Sequence, residues 1–156
     1  MKNLQLKIPP ALLLLIFMLI CWAIYSVVPA LAGLPSALPY ANTVSGLFLL
    51  MGLLVISAGV YEFRRFKTTV NPLSPEQATN MVRSGIFSFS RNPMYLGMLF
   101  ILIATVINMF HLLTLMLIPA FVLYMNAFQI KPEERILKAQ FGQEYEQYLL
   151  TTRRWL

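Results

Sequence analysis

Two groups of polar side chains stand out against long apolar runs. Arg91, Asn92 and Tyr95 form the first, and Gln129, Lys131, Glu133 and Glu134 the second. A guanidinium and a pair of carboxylates are the groups that hold a charged ligand or move a proton. The stretch between them, residues 94–130, has no Lys, Arg, Asp or Glu. If it folds back as a hairpin, the two groups become neighbours around a cavity open to the cytoplasm at one end and to lipid at its sides. A plainer reading exists for each residue: Arg91 as a charged anchor, Asn92 as a helix cap, Tyr95 as an interface aromatic, Glu133-Glu134 as the acidic start of a helix behind Pro132. Other chemistries have little material. The single cysteine, Cys21, excludes a disulfide framework and a Cys-based zinc site, and the single histidine, His111, excludes a multi-His metal centre. Neither a dinucleotide-binding glycine fingerprint nor a phosphate-binding loop is present.

The elements that must position these groups are set by composition. Of 156 residues, 58% are hydrophobic and 12% charged, with a mean hydropathy of +0.69. Soluble domains carry about 25% charge, so the chain reads as an all-α integral membrane protein. Residues 8–28 and 43–61 are uncharged and long enough to cross a bilayer, which takes about 20 residues. Residues 94–130 are too long for one crossing and read as two short helices joined by a turn near Asn108-Met109-Phe110-His111. Four spans place every basic residue on one face: Lys2 and Lys7, then Arg64, Arg65, Lys67, Arg83 and Arg91, then Lys131, Arg135, Lys138, Arg153 and Arg154. Three or five spans would break that segregation. Both termini and the central loop are therefore assigned to the cytoplasm, and the net charge of +6 reflects topology, not nucleic-acid binding. Ala30-Leu31-Ala32 resembles a signal-peptidase site, but the apolar stretch before it exceeds a usual signal core, and the span is expected to stay attached.

The chain divides into residues 1–61, two N-terminal spans, and residues 62–156, a loop, a hairpin and a tail. In the loop, Asn71-Pro72 marks a turn, and Ser74-Pro75 predicts a short helix through about Val82. Asn92-Pro93 should open the third span, with Asn92 as its cap. In the tail, Ile136, Leu137, Phe141, Tyr145, Tyr148 and Leu149 fall on one stripe of an amphipathic helix expected on the inner membrane face, with Trp155 as an interfacial anchor. Gly46, Gly52 and Gly59 are expected to let helices approach span two, and Asn108 and Asn126 to hydrogen-bond between helices. Cys21 is expected to pack in the core.

The segment Met81-Val82-Arg83-Ser84-Gly85-Ile86-Phe87-Ser88-Phe89-Ser90-Arg91-Asn92-Pro93-Met94-Tyr95-Leu96-Gly97 is followed by Glu133-Glu134, then Phe141-Gly142-Gln143-Glu144-Tyr145-Glu146-Gln147-Tyr148 and Arg153-Arg154-Trp155. In order and spacing these resemble the isoprenylcysteine carboxyl methyltransferase and phospholipid methyltransferase superfamily over roughly residues 68–155. The resemblance implies a membrane-embedded methyltransferase using S-adenosylmethionine. It places the cofactor against Thr79, Asn80, Met81 and Val82 on the loop helix, against Phe87 and Asn92-Pro93-Met94-Tyr95, and against Glu133. Phe87 stands where eukaryotic members have Tyr, and Asn92 where they have His. Gln129 stands where the carboxyl methyltransferases have an Arg for the substrate carboxylate. It is the candidate substrate contact here, which puts isoprenylcysteine in doubt.

The expected reaction is displacement at a sulfonium methyl by a lipid-like or small apolar acceptor, a carboxylate, amine or thiol. Glu133 would hold the cofactor, Arg91 would pair with its carboxylate or a lipid phosphate, and Glu134 would be the base if the acceptor is an amine. No metal is expected. The compact size and the lack of a eukaryotic retention signal point to a prokaryotic cytoplasmic membrane. Two competing readings are a nicotinamide-dependent membrane reductase, which the chain is too short to match, and a non-catalytic membrane scaffold.

Overall fold

The computed structural model describes residues 5–28, 40–68 and 73–156. Lys2, the Ala30-Leu31-Ala32 site and the Asn71-Pro72 turn lie outside these residues. Among the described residues every regular element is helical. Three helical stretches are long and apolar enough to cross a membrane, and a fourth, Pro93–Asn108, is apolar but shorter.

Helix α1, Pro10–Val27, opens on a proline, whose missing N–H is lost at no cost in a first turn. Helix α2, Ala41–Arg65, runs one turn past the expected end at Tyr61, closing on Arg64 and Arg65 where the helix dipole favours cations. Helix α3, Pro93–Asn108, starts on Pro93 as expected, but the Asn92 side chain makes no cap bond. The hairpin turn falls where the sequence places it. The ring of His111 accepts from the Leu113 amide at 3.2 Å and opens a short 3-10 segment, Leu112–Met116.

The return span is built in three pieces that follow without interruption: α4 over Leu117–Tyr124, a π-helical segment over Met125–Ile130, and α5 over Lys131–Phe141. The wider π turn buries Met125, Gln129 and Ile130 together. The tail is therefore not a separate helix from Pro132 onward: α5 continues the span, and the chain bends at Gly142, φ 55°, before α6, Gln143–Thr151. A positive φ at the bend suits glycine.

Packing follows the small residues. Helix α2 packs most extensively on α3. A Cβ on Gly52 would sit 2.6 Å from the Gly97 carbonyl oxygen, and one on Gly97 2.6 Å from that of Gly52. A Cβ on Gly59 would meet the Met94 side chain at 2.8 Å, whereas Gly46 has nothing within 4 Å and does not serve the contact expected of it. At the end of α3 Asn108 donates to Asn42 Oδ1 at 3.1 Å, joining α3 to the start of α2. The core is filled by Leu13 and Cys21 of α1, Tyr95, Leu102 and Val106 of α3, and Phe121, Met125 and Ile130 of the return span. Leu12, Leu15, Leu19, Leu47, Leu50 and Leu54 face outward, as lipid-facing positions do.

Candidate functional site

The hairpin brings the two polar groups together. Tyr95 Oη donates to Glu133 Oε1 at 2.5 Å, and Gln129 Nε2 donates to the same oxygen at 2.5 Å. Both bonds go to Oε1 of Glu133. Glu134, on the next position of α5, meets two guanidiniums. Arg91 approaches Oε1 at 3.3 Å, and Arg154 donates to both oxygens at 3.0 and 2.7 Å, a fork-to-fork pair. The hydrogen bond from Arg154 to Glu134 pushes the guanidinium above its ordinary pKa.

The C-terminal residues strap this arrangement down. The Arg91 amide donates to the Arg153 carbonyl at 3.0 Å. Asn92 Nδ2 donates to the Arg154 carbonyl at 2.9 Å and the Asn92 amide donates to Ser90 Oγ at 3.1 Å, so the Asn92 side chain holds the tail instead of capping α3. Trp155 is no free interfacial anchor: its Nε1 donates to Asn126 Oδ1 in the π segment at 3.1 Å. Arg154 and Trp155 read in the sequence as membrane-facing residues, yet they fix the site.

The loop differs from expectation. Helix persists only over Pro75–Gln77 as one 3-10 turn, and Thr79, Asn80, Met81 and Val82 lie on irregular chain. Ser74 makes no cap bond, and the loop's polar groups turn to the end of α2 instead. Asn80 Nδ2 donates to the Phe66 carbonyl at 2.8 Å, and Thr79 Oγ1 to the Lys67 carbonyl at 3.2 Å. The Ala78 carbonyl accepts from Gln140 of α5. A second 3-10 turn, Gly85–Ser88, presents Phe87, whose ring stacks on Phe63 at 4.9 Å and 11° and whose carbonyl accepts from Tyr148 Oη at 2.7 Å.

These parts enclose one cavity. It is lined by the expected Asn80, Met81, Val82, Phe87, Arg91, Asn92, Pro93, Met94, Tyr95, Glu133 and Glu134. Thr79 lies outside the lining, its side chain spent on α2. Gln129, the expected substrate contact, is 3% exposed and sits behind Tyr95 and Glu133 rather than on the cavity wall. The structure adds Phe63 from the last turn of α2, Thr68 just past it, and Leu137, Phe141, Tyr145 and Tyr148 from the tail. The aromatic stripe of the tail was visible in the sequence, but its Tyr145 and Tyr148 face the cavity and not lipid. Burial raises the pKa of both phenols, which keeps them neutral donors; beside Tyr145 the Glu134 carboxylate adds to the rise, and Arg91 opposes it at both.

The lining defines what fits. Arg91 Nε is buried without an acceptor, and an orphaned charged donor is costly unless a ligand supplies the acceptor. Glu133 offers a carboxylate across from it, and Phe63, Phe87 and Phe141 offer apolar faces. The set suits a ligand with an anionic end, a cationic or hydrogen-bond-donating part, and an apolar body.

A family model described as phospholipid methyltransferase matches residues 40–144. An uncharacterized protein of Haemophilus influenzae is 41% identical over 63 residues, which is 40% of this chain and the whole of that protein. No solved structure matches.

Proposed function

We propose that this chain, which belongs to the phospholipid methyltransferase family, is a membrane-embedded enzyme that transfers a methyl group from S-adenosylmethionine to a lipid-like or small apolar acceptor. The observation that carries this reading is the meeting of Glu133 with Tyr95 and of Arg91 with Glu134 at one cavity wall, with Arg91 Nε still lacking an acceptor. S-adenosylmethionine has a carboxylate for that donor, hydroxyl and ammonium donors for Glu133, and an adenine for the apolar walls. When bound, it supplies an electrophilic methyl group on a sulfonium centre.

The chain's own residues position and shelter. Glu133 holds the cofactor by charge-assisted hydrogen bonds, with Tyr95 and Gln129 fixing its carboxylate. Arg91 takes the anionic end, kept in place by Glu134 and by its amide bond to the tail. The tail and the loop exclude water, and a dry, pre-set geometry favours displacement at carbon. An anionic acceptor, carboxylate or thiolate, needs no proton removed. An amine does, and Glu134, which lines the cavity, is the carboxylate proposed as base, although both its oxygens are engaged by guanidiniums.

The topology proposed with this function has four spans, both termini on the cytoplasmic face and a prokaryotic inner membrane around them. The Leu6 amide donates to the Phe128 carbonyl at 3.1 Å, and Arg135 to Gln5 Oε1 at 2.9 Å. The start of α1 thus lies at the same end as the loop, the tail and the basic residues, which supports this arrangement.

Purified protein given methyl-labelled S-adenosylmethionine and a lipid extract is expected to place label in the organic phase. Mild alkali then sorts the acceptor: a methyl ester releases labelled methanol, whereas N-methyl and S-methyl products keep the label. A preparation that binds the cofactor yet labels nothing in extracts from several sources would count against catalysis and favour a scaffold.

A further inference from the structure

We infer that the inner end of α2 is the platform that sets the cofactor loop, and that Glu62 is its positioning residue, its consequence for binding resting on the methyltransferase reading above. Glu62 is 6% exposed. A carboxylate there is locally unfavourable: it is buried, and it sits in the last turn of a helix, where the dipole opposes negative charge. Its compensation comes from the loop. Ser84 Oγ donates to Glu62 Oε2 at 2.7 Å, and Arg65, largely exposed, stands 3.7 Å from Oε1. Gly85 follows, with φ 58°, and a Cβ on it would lie 2.8 Å from the Glu62 carboxyl group. The glycine therefore both allows the turn and makes room for the carboxylate.

The neighbours of Glu62 extend the grip. Phe63 stacks on Phe87, the Phe66 and Lys67 carbonyls accept from Asn80 and Thr79, and Thr68 Oγ1 accepts from the Thr79 amide at 3.2 Å. Five residues in and just past the last turn of α2, Glu62, Phe63, Phe66, Lys67 and Thr68, thus hold the loop at both ends of its cavity-facing stretch. Phe63 and Thr68 touch the cavity, whereas Glu62 is not in its lining and acts only through Ser84 and Gly85. The end of α2, upstream of the segment Met81 to Gly97, would in this way determine the geometry of the cavity.

Two readouts on full-length protein in detergent test this: calorimetric titration with S-adenosylmethionine, and amide hydrogen exchange over residues 79–88 without ligand. Glu62→Ala is expected to weaken binding about tenfold, the scale of one lost hydrogen bond to a charged group, and to speed exchange in the loop. Glu62→Gln, which keeps an acceptor for Ser84, is expected to restore both. Ser84→Ala should reproduce the loss, and the double variant should lose less than the sum of the two. Unchanged exchange in Glu62→Ala, or a loss that Glu62→Gln does not rescue, overturns the platform. If wild type itself binds no S-adenosylmethionine, the methyltransferase reading fails, and loop exchange alone then decides the role of Glu62.

Discussion

Replacing Glu133 with alanine is expected to weaken S-adenosylmethionine binding by about 100-fold or more. Tyr95 and Gln129 both bond to Oε1 of Glu133, whereas both oxygens of Glu134, the other acidic group of the lining, meet guanidiniums. A hydrogen bond to a charged group contributes about 1.5–3 kcal/mol, and about 1.4 kcal/mol is a factor of ten in affinity. The same substitution takes the shared acceptor from Tyr95 Oη and Gln129 Nε2 and leaves them the longer bond between each other at 3.4 Å, so some loss of stability accompanies it, about 1–3 kcal/mol. Glu133→Gln separates the effects. It keeps an acceptor but no charge, so it should fold better and still bind less tightly than wild type. Calorimetry on variants with thermal unfolding checked in parallel reads both. Wild-type affinity in a folded Glu133→Ala protein would remove Glu133 from the site.

The largest effect on stability is expected from Gly97→Leu. The backbones of α2 and α3 cross at Gly52 and Gly97, where an added Cβ meets a carbonyl oxygen at 2.6 Å in either direction. Backbone cannot give way as a flexible side chain can, so the cost should reach the upper end for overpacking, about 3 kcal/mol. Moving α3 away from α2 also shifts Pro93, Met94 and Tyr95, so cofactor affinity should fall with it. Gly46→Leu is the control on the same helix: nothing lies within 4 Å of its Cβ, and replacing a helical glycine gains up to about 1 kcal/mol of helix propensity. Thermal unfolding in detergent should show a clear fall for Gly97→Leu and little change or a rise for Gly46→Leu. Equal effects at the two glycines would show that the crossing is not what holds the pair together.

The charge pattern and the hairpin were legible because a bilayer imposes simple rules on length and charge. The site residues of the hairpin were legible because they are close in spacing to a family motif and because a tight turn makes the two ends neighbours. The loop was not. Ser74 and Pro75 carry the marks of a helix start, but Thr79 and Asn80 find better partners in the exposed carbonyls of Phe66 and Lys67, and a long-range bond overrides a local propensity. Hydropathy placed the end of span two at Tyr61 because Glu62 is charged. The helix runs on because its inner face there meets the loop and not water, so Glu62 and Phe63 turn inward and Arg64 and Arg65 outward. The π segment has no sequence signature at all, yet it sets where Gln129 points. The tail showed its stripe but not its target: Tyr145 and Tyr148 could equally have met lipid, and only the bend at Gly142 turns them onto Phe87 and the cavity.

Whether the cavity between the hairpin, the loop and the tail takes S-adenosylmethionine is decided by calorimetric titration of detergent-purified wild-type protein. Saturable binding is expected at one site per chain with micromolar affinity, competed by S-adenosylhomocysteine and lost in Glu133→Ala. Absence of binding heat across several temperatures, in protein shown by its thermal transition to be folded, would contradict it.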